Sequence, residues 1–301
     1  MLSRLAESFF WMGRYIERAE GTARLVLEMH QLLVGETAAD QQRGSALVLH
    51  GLGFDTEATL GLIDLVSVVY GSPEDPSTIH GSLEYARTNA RSVRDALPAD
   101  FFEVLNKVYL RAGSRPNPFF PGTGLRDVLE GLAVVHGTFD WVSPRDEAYS
   151  FYELGGFLER IDLVARLLDM RIERGWPEQG PATVLRSVGG LNTYLRRHER
   201  MNEDSLRSFL LVDPAFPRSV LRSAIEAEAS IRDIARFTSS RPEPVLRSLG
   251  VLRSQLEFEG EAITSTSGDA FVAQARQAVE FTSQSIRDNY FRPLGSIVWS
   301  H

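Results

Sequence analysis

The sequence predicts an all-α protein, and three observations predict it. No stretch of the 301 residues alternates polar and apolar with the period of two that a half-buried strand needs. Apolar residues recur instead at helical spacing. One long amphipathic segment also occurs twice: residues 8–26, SFFWMGRYIERAEGTARLV, and residues 150–168, SFYELGGFLERIDLVARLL. The two align without a gap at an offset of 142, and eight of the nineteen positions are identical. Both fit G-x-[YF]-[IL]-E-R-x-[ED]-x-x-A-R-L. Internal repetition marks an architecture built from related units. The expectation is a single helical bundle over residues 1–301, made of two related halves (about 1–142 and 143–301) in a pseudo-twofold arrangement.

The elements follow in order. A first helix is expected over 3–33, with Gly35 ending it. The polar stretch ETAADQQRG leads to a helix near 42–50, broken by Gly51-Leu52-Gly53. A third helix covers 55–70, apolar at 60, 62, 63, 65, 66, 68 and 69. GSPEDPS is a loop whose Ser77 is a good N-cap, so a helix follows from Thr78 to about Ala96. Another runs from Pro98 to about Ala112. SRPNPFFPGTG (114–124) is a loop, and its Phe119 and Phe120 either mark a contact surface or, as the more common outcome, fold back onto the body. A helix from Leu125 to about Trp141 closes the first half. The second motif helix spans 151–174, GWPEQGP is a loop, and helices follow at about 183–200, 202–211, 218–237, 242–260 and 268–290. At the same offset, Ser77 aligns with Ser219.

Composition narrows the function classes. A net charge of −8 and a pI near 5.4 argue against a nucleic-acid footprint. The absence of cysteine excludes disulfides, thiolate nucleophiles and cysteine metal sites. No apolar run approaches the ~20 residues needed to cross a bilayer, and no leader-like apolar segment opens the chain. A soluble, cytoplasmic protein without membrane contact is expected. The six histidines are scattered and form no H-E-x-x-H, H-x-H or Glu-x-x-His pattern, so neither a metal nor a cofactor is called for. GLGFDT (51–56) lacks the third glycine and the preceding strand of a nucleotide loop.

The chemistry concentrates in the repeated motif. At about 100° per residue, Gly13, Glu17, Glu20, Arg24 and Glu28 share one narrow stripe of the first helix. Read alone, that is a solvated face with weak ion pairs. The second copy is different: Glu159, Asp162 and Arg166 sit on a helix that is apolar almost all round, and such helices are buried. Buried charges must be paired. A semi-buried network of Glu17, Arg18, Glu20, Arg24, Glu159, Arg160, Asp162 and Arg166, contributed by both copies, is therefore expected, and no residue is assigned a catalytic role. Arg14 lies nearby as a possible anion or partner contact. Arg87, Arg91 and Arg94 also share a face with Glu84. Their partners are the motif acids, a bound anion, or locally Glu84 and Asp95. Asn89 is a poor helix former at its place and calls for a specific hydrogen bond.

These motifs resemble a known family. MLSRLAESFFWMGRYIERAEGTARLV and YSFYELGGFLERIDLVARLLD are similar to the two Glu-Arg motifs of the Alpha-E family of helical domains. DPSTIHGSLEYARTNARSVRD resembles its middle motif, with Thr88 where an acid usually stands. FLLVDPAFPRSV resembles a fourth. The resemblance spans nearly the whole chain. It implies a setting beside a circularly permuted ATP-grasp ligase, with transglutaminase-like peptidases among the neighbours, and hence a part in peptide or amide-bond formation. It carries over Glu17, Arg18, Glu159 and Arg160 as signature residues, with Arg87, Asn89 and Arg91 in the middle motif. The expected role is a non-catalytic partner or substrate holder for such a ligase. An enzyme or a peptide- or small-molecule-binding protein using the Glu/Arg pocket is the alternative. Self-association is also possible.

Overall fold

A computed structural model of the protein describes residues 3–54, 60–113, 117, 119–174, 180–259 and 265–291. Among the described residues all regular structure is helical. The order is α1 (Ser3–Leu33), α2 (Ala38–Leu52), α3 (Leu62–Tyr70), α4 (Ile79–Ser92), α5 (Ala99–Ala112), α6 (Gly122–Val142) and α7 (Glu147–Arg174). There follow α8 (Gly180–Ser187), α9 (Leu191–Leu195), α10 (Glu203–Val212), α11 (Val220–Thr238), α12 (Glu243–Glu259) and α13 (Ser265–Ile286). A π-helical turn, Arg287–Phe291, extends α13.

The two motif helices, α1 and α7, are the longest and lie face to face. α4 and α6 pack on α1, while α11 and α13 pack on α7. α5 joins α4 to α6, as α12 joins α11 to α13. The short helices cross over: α8 leans on α1, and α2 on α7. One contiguous apolar core results, with Phe9, Phe10, Met12 and Ile16 of α1 and Phe151, Leu154, Leu158 and Ile161 of α7 fully buried. Burial on this scale, about 2 kcal/mol for each large apolar side chain, is what holds α1 and α7 helical over such lengths.

Glycine sets the distance between the central helices. A Cβ at Gly13 would lie 2.0 Å from the Tyr152 carbonyl oxygen, and one at Gly155 would lie 2.0 Å from that of Phe10. The backbones therefore touch where the motif has its glycine. This explains two glycines in helix interiors, where each costs roughly 0.5–1 kcal/mol relative to alanine.

Several element boundaries differ from expectation, each for a local reason. α2 begins inside the stretch read as a polar connection, because Thr37 caps it by accepting from the Asp40 N–H. Gly51 stays helical, and Gly53, at φ 87°, ends the helix. The third helix starts at Leu62, where the Asp64 carboxylate accepts from the Gly61 N–H; residues 55–59 of that expected helix lie outside the described residues. The cap of α4 is Thr78 rather than Ser77, because Thr78 Oγ1 accepts from the Gly81 N–H. The expected helix over 183–200 is two short ones, parted at Gly189 (φ 68°). Of the loop 175–181, residues 175–179 fall outside the description. Phe119 and Phe120 do not fold back: they are 60% and 77% exposed.

Candidate functional site

The two Glu-Arg pairs meet across the α1–α7 contact and exchange partners. Arg18 donates from Nε and Nη2 to Glu159, at 2.6 and 2.9 Å. Arg160 donates from Nε and Nη2 to Glu17, at 3.0 and 2.7 Å. Each is the forked guanidinium–carboxylate geometry that makes the strongest ion pairs. Each arginine also holds a loop: Arg18 Nη1 donates to the Pro76 carbonyl at 3.4 Å, and Arg160 Nη1 to that of Pro217 at 3.3 Å. Those loops lead into α4 and α11. The motif thus ties the central helices to each other and to the starts of the two helices packed beside them.

A second guanidinium completes each carboxylate. Arg14 Nε lies 2.5 Å from Glu159 Oε2. Arg218 bridges Glu17 Oε1 at 2.7 Å and Glu20 Oε1 at 2.6 Å. Arg24 also reaches Glu20 Oε1, at 2.6 Å, and His136 Nε2 lies 3.1 Å from its Oε2. Arg166 holds Asp162 at 2.9 Å and donates to the Leu52 carbonyl at 3.3 Å. Glu17 and Glu159 are 0% and 1% exposed, a burial tolerable only because every charge is matched.

The electrostatics follow from that geometry. Burial alone would raise the Glu159 carboxyl, but Arg14 and Arg18 outweigh it and hold it at about 2. Burial opposes ionisation of Glu17 as well, and Arg160 with Arg218 brings its carboxyl below the usual range. Glu20 is likewise lowered, against burial, by Arg218, His136 and Arg24. Carboxylates so held keep no proton near neutral pH and have little basicity, which removes them from general acid–base work. Glu153 is the exception: burial pushes its carboxyl up, against the lowering effect of Arg160 and His136.

Glu17, Glu20 and His136 bring ligand atoms within 4.8 Å of one another, a spacing a metal ion accepts. Arg24, Arg160 and Arg218 hold the same two carboxylates. A divalent ion there would face three guanidiniums at close range, so the cluster is neutralised internally.

All eight residues expected in the network are ion-paired, in three groups: Glu17, Arg160, Glu20 and Arg24 are joined by Arg218, Glu159 holds Arg18 and Arg14, and Asp162 pairs with Arg166. Arg87, Arg91 and Arg94 are not part of these groups: Arg87 and Arg94 turn toward α5, and Arg94 lies past the end of α4, in a 3-10 turn over Arg94–Ala96. Arg87 donates to Asn106 Oδ1 at 2.7 Å, lies 3.8 Å from Glu84 and stacks over Tyr109. Arg94 stacks over Phe102, Arg91 is exposed, and Asn89 donates to the Tyr85 carbonyl of its own helix. Sequence reasoning missed Arg218, His136 and Glu153. His136 comes from α6, outside the motif. Glu153 stands where the first copy has Trp11.

Open clefts border the clamp. One of about 300 Å³ is lined by Arg18, Thr22, Gly53, Ser77, Leu163 and Arg166, among others. One of about 140 Å³ includes His50, Gly53, Arg166 and Arg276. A groove of about 690 Å³ between α1, α7 and α13 includes Trp11, Arg14, Asp162, Arg166 and Arg276. Arg166 lines all three.

No described helix is long and apolar enough to cross a membrane. Comparison with known proteins finds uncharacterized proteins of Mycobacterium bovis and Mycobacterium tuberculosis, 23% identical over 318 residues. The match takes in 95% of this chain but 36% of theirs, so the chain spans about a third of the length of the curated relatives it matches. No solved structure matches. A family described as a predicted alpha-helical domain with a conserved ER motif matches residues 1–291. The exchanged pairs Glu17-Arg18 and Glu159-Arg160 are two such ER dipeptides, and the chain belongs to the Alpha-E family.

Proposed function

We propose that this chain is a non-catalytic helical domain that holds an ATP-grasp-type amide ligase, or that ligase's peptide substrate, in position. The observation that carries the reading is the saturation of Glu17 and Glu159 by four guanidiniums. A site built to move protons leaves its central carboxyls free to exchange them; Glu17, Glu20 and Glu159 instead have their charges fixed by guanidiniums, as in a scaffold, and only Glu153 at the margin has its carboxyl raised. The longer chains of the relatives support the reading, because there the domain is joined to further sequence. A transglutaminase-like peptidase is a second candidate partner, from the same family resemblance.

We further propose that the chain is an internal duplication with pseudo-twofold symmetry. The gapless repeat, the exchanged Glu-Arg pairs and the matching order of packing around α1 and α7 support it. The motif then works as a self-complementary seal between halves.

Affinity purification from the native host tests the role. Recovery of an ATP-grasp ligase with wild type supports it. A ligase that never associates, and that ligates at the same rate without this chain, sinks it. The second reading, a ligand-binding protein, is favoured by the clefts around Arg166.

A further inference from the structure

The loops before α4 and α11 are built alike, and the difference that bears on the clamp is the residue directly before the cap. Thr78 caps α4 and also donates to the Ser72 carbonyl six residues back. Ser219 caps α11 and also donates to the Asp213 carbonyl six residues back. Two residues before each cap, a proline carbonyl accepts from the motif arginine. The residue directly before the cap is Arg218 in one loop and Ser77 in the other. Arg218 reaches into its side of the clamp, between Glu17 and Glu20, and the space left there is about 30 Å³. Ser77 instead turns back on Asp75, at 2.5 Å. On its side, about 300 Å³ stays open.

The charge of that open cleft says what fits it. Glu159 at its wall already has two guanidiniums, because Arg14 supplies from α1 what Arg218 supplies to Glu17. No carboxylate is left to attract a cation. Arg18 and Arg166 keep 22% and 32% of their side-chain surface exposed. Arg166 commits Nε to Asp162 and Nη1 to the Leu52 carbonyl, leaving Nη2 without a partner among the described residues. A guanidinium whose Nη2 is still free to donate suits a carboxylate.

The neighbouring space says how large the ligand is. The cleft shares Gly53 and Arg166 with the 140 Å³ cleft, which shares Arg166 and Arg276 with the groove along α13. The lining of that path mixes both signs, with Asp162, Asp169 and Glu280 beside Arg14, Arg166, Arg276 and Arg287. A polyphosphate would be repelled by the three acids. A peptide, with one carboxylate to anchor and amide groups to spread along the rest, would not.

We propose that the cleft opened by Ser77 binds a carboxylate of a peptide, with Arg166 and Arg18 as anchors and the α13 groove taking the segment behind it. This deepens the substrate-holding reading above and rests on it. The site is tested on the purified full chain without any ligase, so the two readings fail separately. Isothermal titration calorimetry would use acetyl-Gly-Gln-Gln with a free C-terminus as the acidic peptide, the same peptide as its C-terminal amide as the neutral one, and tripolyphosphate. The acidic peptide is expected to bind at least ten-fold more tightly than the neutral one, and binding should weaken with salt. Ser77→Arg fills the cleft as Arg218 fills its counterpart, so it should weaken binding at least ten-fold. Arg166→Lys keeps the charge but loses the free Nη2 donor, and should also weaken binding; it decides the matter if Ser77→Arg fails to fold by circular dichroism. Equal binding of both peptides, no binding at millimolar concentration, tighter binding of tripolyphosphate, or affinity unchanged in the folded variants would each overturn the assignment.

Discussion

Adding one methyl group at Gly155 should nearly unmake the protein. A Cβ there would sit 2.0 Å from the Phe10 carbonyl oxygen and 3.1 Å from the Arg14 nitrogen. A relaxed carbon–oxygen contact is about 3.3 Å, so α1 and α7 must part by roughly 1.3 Å. Overpacking of this kind costs about 1–3 kcal/mol, and more where backbone is the obstacle. Parting the helices also stretches the Arg18–Glu159 and Arg160–Glu17 forks, which lie on the same interface at 2.6–3.0 Å. Together the cost should be about 3–5 kcal/mol, as for breaking a buried pair, set against a typical total of about 5–15. Gly13→Ala should cost about as much, because its Cβ meets the Tyr152 carbonyl at the same 2.0 Å. The double variant should cost less than the sum, since the first methyl has already parted the helices. Gly137→Ala is the control: it is helical and exposed, with nothing within 4 Å of a Cβ, so it should stabilise by about 0.5–1 kcal/mol. Urea denaturation followed by far-UV circular dichroism measures all four. A Gly155→Ala protein within about 1 kcal/mol of wild type would refute the backbone contact.

Three further outcomes follow from the charges. Glu159→Gln leaves Arg14 and Arg18 without their carboxylate and should cost about 3–5 kcal/mol in the same denaturation assay. Acid should reproduce part of that loss: the folded carboxyl lies at about 2 against 4.5 in the unfolded chain. Its stabilisation, about 3 kcal/mol, is therefore complete above pH 4.5 and is lost as pH falls toward 2. In Glu159→Gln this limb of the stability–pH curve should flatten, and an unchanged slope would count against the assignment. Glu153 has the opposite sign, because its carboxyl is raised in the folded state. Its ionisation opposes folding as pH rises, so Glu153→Gln should raise the thermal midpoint at pH 7; a lower midpoint would show that the carboxylate is needed.

What the sequence disclosed was whatever recurs at helical spacing. The ends of α1 and α5 were readable because Pro98, the loop glycines and the long apolar stripes carry strong local preferences, whereas α7 begins at Glu147, four residues before the start expected at Phe151. Burial of Glu159 was readable because α7 is apolar around it. The identity of each ion-pair partner was not. A repeat says that Glu17 and Glu159 are equivalent, but not that each binds the other's neighbouring arginine. Arg218 escaped because the alignment set Ser77 opposite Ser219, one residue out of step with the true caps Thr78 and Ser219. Of the partners left open for Arg87, Arg91 and Arg94, the local one is found for Arg87, 3.8 Å from Glu84; the others on α5 were not foreseen. Like charges on one face need partners, and π-faces and an amide on α5 serve as well as carboxylates.

The exchange of partners across the α1–α7 contact also sets a timetable for synthesis. The clamp joins residues 141, 143 and 201 positions apart. When α1 leaves the ribosome, its Glu17 and the apolar face of Phe9, Phe10 and Ile16 have no partner, and α7 and Arg218 have not yet been translated. The first half cannot finish folding ahead of the second, and contacts of such long range close slowly. The nascent chain therefore carries an exposed amphipathic helix until α7, 141 residues further on, has been made, the period in which a chaperone or a waiting partner protein has its best access to it.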